Sequence, residues 1–124
     1  MEKTINSKLK IHINIINKII VSNERCVICA ETTEYGTIKL IFDDVWDCRY
    51  TIENGIIDRY SKMTHEENVT SSIYEVVDSL YINYFEHQVS GTRPISHLKD
   101  YLLFDDVDTV FEVLSLQDPY IEKD

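Results

Sequence analysis

Cys26-Val27-Ile28-Cys29 has the C-x-x-C spacing shared by zinc knuckles and dithiol redox sites. A zinc site needs two further ligands, and the chain offers Cys48 and four scattered histidines, His12, His65, His87 and His97. A redox pair needs a helix N-terminus to lower its thiol pKa. Val27 and Ile28 instead favour a strand, on which residues three apart face opposite sides. The cysteines are therefore expected to be separate structural thiols, with no metal and no disulfide. His65-Glu66-Glu67 does not extend to H-E-x-x-H. Gly36, Gly55 and Gly91 are the three glycines, too few for a phosphate-cradling loop or a dinucleotide fingerprint. No G-x-S-x-G is present, and the acidic turns lack EF-hand spacing. The chain reads as a non-enzyme, with no catalytic residue and no cofactor.

The residues that stand out suit binding rather than catalysis. Asp43, Asp44, Trp46, Asp47, Arg49 and Tyr50 place the one Trp beside an Arg, a Tyr and three acids. Trp, Tyr and Arg are the types enriched where protein interfaces carry most of their energy. The plainer reading puts Trp46 in the core and pairs Arg49 with a neighbouring Asp. A second acidic turn holds Asp105, Asp106 and Asp108. The expected partner-binding residues are Asp43, Asp44, Trp46, Asp47, Arg49, Asp105, Asp106 and Asp108.

Charge gives those turns their context. The 124 residues carry 12 Lys+Arg and 22 Asp+Glu, a net of −10. Residues 1–25 hold five bases (Lys3, Lys8, Lys10, Lys18, Arg25) and two acids (Glu2, Glu24), a net of +3. The rest of the chain is therefore at −13. Such a field repels nucleic acid and anionic membrane and attracts basic partners, although acidity also simply keeps a protein soluble. The odd cysteine count argues against a secreted disulfide scaffold. His12, Asn14, Asn17 and Lys18 interrupt any apolar leader, and no stretch reaches 18 apolar residues. A cytoplasmic location is expected.

The elements that must hold these residues are mostly strands. Seventeen Ile, ten Val and eight Tyr stand against one Ala, a composition that suits pleated sheet. Alternation predicts strands over 8–16, 25–31, 37–42, 97–104 and 109–116. Between 46 and 62, Asn54-Gly55 favours a hairpin with a type I′ turn, against a helical alternative. Val69, Ile73, Val76, Val77, Leu80, Tyr84 and Phe85 recur at helical spacing, which predicts one long amphipathic helix over 69–88 capped by Thr70, Ser71 or Ser72. The expected fold class is α+β: a mostly antiparallel sheet of about five to seven strands with that helix on one face. One domain is expected over 1–124, with 120–124 a flexible tail. Leu40-Ile41-Phe42-Asp43-Asp44-Val45 is echoed by Leu102-Leu103-Phe104-Asp105-Asp106-Val107. The flanks do not align, so the echo reads as a strand meeting an Asp-rich turn twice.

Two stretches resemble a known group. One is Ile38-x-Leu40-Ile41-Phe42-x-Asp44-Val45-x-x-x-Arg49-Tyr50. The other runs from His97-x-x-x-Tyr101 through Phe111-Glu112-Val113-Leu114-Ser115 to Pro119, with Tyr81 and Phe85 between the two stretches. They resemble small acidic bacterial immunity proteins of toxin–immunity systems, of the contact-dependent growth inhibition type. The resemblance implies a cytoplasmic, non-enzymatic protein that binds one cognate toxin domain and blocks it; the net charge of −10 points to a basic domain, such as that of a nuclease. It transfers no residue role. The alternative is a small ligand-binding or enzyme-accessory module with no toxin partner.

Overall fold

β-branched and aromatic residues pack well on a pleated surface, and strands dominate the chain. The computed structural model describes residues 2–51, 61–65, 71–89 and 97–123. The strands are β1 (Lys3–Asn6), β2 (Ile13–Ser22), β3 (Arg25–Thr32), β4 (Gly36–Phe42), β5 (Val45–Thr51), β6 (Thr64–His65), β7 (Ile73–Val77), β8 (Lys99–Phe104), β9 (Val110–Ser115) and β10 (Tyr120–Lys123). One helix, α1 (Leu80–Val89), lies between β7 and β8. One sheet has the order β5-β9-β8-β7-β1-β6 and the other β10-β4-β3-β2. The β1–β6 pair is parallel, and the remaining pairs are antiparallel.

The main core lies between the sheets. Ile28, Leu40 and Phe42 of the smaller sheet meet Ile73, Leu103 and Val113 of the larger, each without exposed surface. Phe42 and Tyr101 pack at 5.6 Å between ring centroids. Burying each such side chain contributes roughly 1.5–3 kcal/mol. The outer face of the larger sheet is covered as well. There Leu114 packs with Tyr81 of α1, Leu98 and Trp46, and Val76, Leu102 and Val110 pack with Met63.

The architecture corrects the expectation of one sheet carrying a long helix over 69–88. Residues 73–77 are strand β7, and the helix begins only at Leu80. Ile73, Tyr74 and Val76 are all buried because β7 is covered on both faces. A strand without a wet face loses its alternation, so its apolar run imitates helical spacing. Ser71 and Ser72 cap no helix. Their hydroxyls accept the amides of Ile11 and Ile13 at 3.2 and 2.9 Å. The N-cap is Ser79, whose Oγ accepts the Ile82 amide at 3.0 Å.

The N-terminal strand is displaced for a different reason. Of the expected strand over 8–16, only residues 13–16 are strand, as the start of β2, which runs to Ser22; residues 8–12 are not strand, and β1 forms before them. Its pairing with β3 shifts register between Ile13 and Ile15 and again between Ile16 and Lys18. Each bulge resets the alternation, so Ile13, Ile16 and Ile19 all reach the core at a spacing of three. Residues 120–123, expected as a tail, form β10 on the edge of β4. The Asn54-Gly55 turn lies outside the described residues, while residues 46–51 belong to β5 and not to a helix.

The turn after β8 ties the two sheets together. Asp105 Oδ1 accepts the amides of Val107, Asp108 and Thr109 at 3.0, 3.1 and 3.0 Å. Its Oδ2 accepts the Ile16 amide of β2, in the other sheet, at 2.9 Å. Partial burial raises the Asp105 pKa, but the four amides together outweigh it and hold the carboxyl below the ordinary Asp value. The stabilisation is therefore present above the unfolded-state pKa of about 3.9 and is lost as pH falls through the lower folded value. Asp105→Ala should destabilise the protein by about 2–3 kcal/mol at pH 7. Urea unfolding at pH 7 and near pH 3 checks this, with the gap between wild type and variant narrowing in acid.

Candidate functional site

The expected partner-binding residues lie on β5 and on the turns that precede β5 and β9, and they do not share one face: Trp46, Asp47 and Arg49 face α1, whereas Asp43 and Asp105 contact the smaller sheet. β5 has one strand neighbour among the described residues, β9. Val45 lies opposite Ser115, and Thr51 lies opposite Val110. β5 therefore runs from the Asp43-Asp44 turn at one end of β9 to the level of the Asp105–Asp108 turn at the other. A six-residue strand is about 17 Å long, so the two acidic turns are separate poles joined by the face of β5. The structure does not bring their carboxylates into one cluster.

At the first pole, Asp43 is tied down. Its Oδ1 accepts from Arg25 Nε at 2.8 Å and its Oδ2 from the Tyr120 hydroxyl at 3.0 Å. Asp44 sits in the left-handed region at φ 51°, exposed, and accepts from Gln117 Nε2 at 2.7 Å. At the second pole, Asp105 makes the backbone contacts already described. Asp106 meets His12 Nε2 at 2.7 Å, and Asp108 is exposed.

Between the poles, β5 and α1 build a mixed aromatic and ionic cluster. Arg49 faces Glu112 across the β5–β9 ladder and grips one carboxylate oxygen with Nε and Nη2, at 3.0 and 2.9 Å. Glu112 has no exposed surface, whereas the Arg49 side chain is 40 % exposed. The guanidinium also lies 3.9 Å from the centre of the Tyr81 ring, a cation–π geometry. The Tyr81 hydroxyl donates to Asp47 Oδ2 at 2.7 Å. Burial pushes the Tyr81 phenol well above its ordinary pKa, and the bond to Asp47 adds to this, so the phenol stays a donor. Trp46 is half-buried, edge-on to Phe85 of α1 at 6.0 Å. Arg49 thus pairs with a residue 63 positions away rather than with a neighbouring Asp. Tyr50 and Tyr84 are 66 % and 64 % exposed.

Sequence reasoning found Trp46, Asp47 and Arg49 by their types. It gave no role to Glu112 and Tyr81, which complete the cluster. A Glu inside the apolar run Val110–Leu114 was the available signal, because a buried carboxylate demands a cation.

Cys26 and Cys48 share the main core as free thiols, and Cys29 stands apart from them. Cys26 is in the core, where burial, with Cys48 nearby, pushes its thiol pKa up to about 12. Cys29 is half-buried outside that cluster. Among the described residues, no three His, Cys, Asp or Glu side chains are placed to hold a metal ion, and no helix is long and apolar enough to cross a membrane.

Arg49→Met should cost about 3 kcal/mol, because it leaves the Glu112 charge in a buried site without its guanidinium. The double variant Arg49→Met/Glu112→Leu should recover most of that loss. Urea unfolding of both variants checks the pair. Compared with protein-family models, with curated proteins and with solved structures, the chain has no match.

Proposed function

We propose that this chain is an immunity-type protein, non-catalytic, that binds and neutralises one cognate basic toxin domain by direct association. The observation that carries the reading is the β5 side of the sandwich. A Trp, an Arg and exposed or half-buried aromatics lie there between two acidic poles. Asp44 and Asp47 are exposed and accept from neutral donors, which leaves their charge to act outward. Asp43 is offset by Arg25, and Glu112 by Arg49.

A toxin domain that acts on nucleic acid must bind phosphate, so its working face is basic. An acidic protein is steered to that face, and its carboxylates can occupy the phosphate positions. A standard interface of about 1,600 Å² in total reaches from β5 to both poles. The same charges disfavour nucleic acid and anionic membrane as partners.

The test is co-expression with the product of the adjacent gene, followed by growth assays and binding kinetics at low and high salt. Salt should slow association and change dissociation less, because exposed charges are screened over about 8 Å at physiological ionic strength. Asp44→Asn and Asp108→Asn should each weaken binding by about 0.2–1 kcal/mol if they stay at the rim. A carboxylate desolvated against the toxin should cost about 2–5 kcal/mol. Association indifferent to salt and to these aspartates would refute the reading.

A further inference from the structure

The geometry points to strand addition along the edge of β5 that carries no strand among the described residues, the occupant being an extended segment of a basic partner. This rests on the reading above and specifies how the partner is held.

The argument follows the direction of the backbone amides. The Phe104 amide donates to Ser72 O at 3.1 Å, toward the β7 side of β8. Antiparallel ladders alternate, so Lys99, Tyr101 and Leu103 turn their amides toward β9. On β9, Phe111, Val113 and Ser115 return those bonds, and Val110, Glu112 and Leu114 face β5. Their partners on β5 are Thr51, Arg49 and Asp47. The Leu116 amide, donating to Asp44 O at 3.2 Å, keeps the same phase. The N–H and C=O groups of Cys48 and Tyr50 point away from β9, toward the edge where no described strand lies.

The start of the neighbouring edge strand is treated differently. On β2, the Ile16 amide is taken by Asp105, and Asn14 O by the Asp106 amide at 3.2 Å. Such capping is how proteins blunt an edge that must not pair. Beside the β5 edge lies a groove of about 180 Å³ lined by Ile16, Asn17, Lys18, Ile19, Tyr50 and Thr109. It has room for an apolar side chain of an added strand. The acidic poles beyond each end of β5 select basic residues at the ends of that strand. Main-chain pairing supplies affinity, and the groove and the poles supply selectivity.

The test uses the full chain and a capped peptide of about nine residues alternating Val and Lys, long enough to span β5. Calorimetry should show one-to-one binding that is lost with the Val/Glu counterpart. Methylating the three central peptide amides should weaken binding by about ten-fold or more, since the bonds to β5 go while charge and side chains remain. Tyr50→Pro, which removes an outward amide without touching the β9 ladder, should do the same. Tyr50→Ala, which keeps the amide, should lose less. If Tyr50→Pro fails to fold, the methylated peptide alone decides. Strand addition is overturned if the Val/Lys peptide does not bind, if its methylated form binds equally well, or if the Val/Glu peptide binds as tightly. Should the toxin domain still bind with steep salt dependence in any of those cases, the acidic-docking reading survives without the strand. If neither toxin domain nor peptide binds, both fall.

Discussion

Strand β9 has no face in water, and that constraint organises the larger sheet. Phe111, Val113 and Ser115 belong to its inner face, and Val110, Glu112 and Leu114 to its outer face, all of them buried. A carboxylate in that position is tolerable only if its charge is answered. The answer comes from Arg49 on β5. Arg49 in turn is flattened against Tyr81 of α1, and Tyr81 holds Asp47. The placement of helix, edge strand and ionic cluster therefore follows from one buried glutamate and the guanidinium that reaches it.

The same double burial decides how much of the fold the sequence discloses. β3 and β4 are readable because apolar runs end at turns that announce themselves, as at Gly36, where φ is +69°. β7 is not readable, because covering both faces removes the polar alternation and leaves Ile73, Val76 and Val77 at helical spacing. β2 is half-readable. Its bulges carry Ile13, Ile16 and Ile19 to one side, a pattern that single-sequence logic assigns to a helix. β10 is short and polar, and nothing local reports that β4 needs a neighbour.

The candidate site divides along the same line. Trp46, Asp47 and Arg49 are conspicuous by type within a few residues of one another. Their partners are not local: Glu112 lies 63 residues beyond Arg49, and Tyr81 lies 34 beyond Asp47. The repeated Leu-(Ile/Leu)-Phe-Asp-Asp-Val word shows how little a local string fixes. In its first copy Asp44 turns the chain at positive φ into β5. In its second, Asp105 folds the chain back on its own amides and caps the opposite sheet.

That cap has a consequence for synthesis. The Ile16 amide and the Asp105 carboxylate that covers it are 89 residues apart. A ribosome adding about 5–20 residues per second leaves the isoleucine-rich β2 strand without its cap for roughly 4–18 seconds. During that time β2 can form its hairpin with β3, while its far edge remains an adhesive, unsatisfied strand. A chain of such high contact order closes late. Ending the chain before β8 would remove Asp105 and leave the Ile16 amide of that edge without its cap.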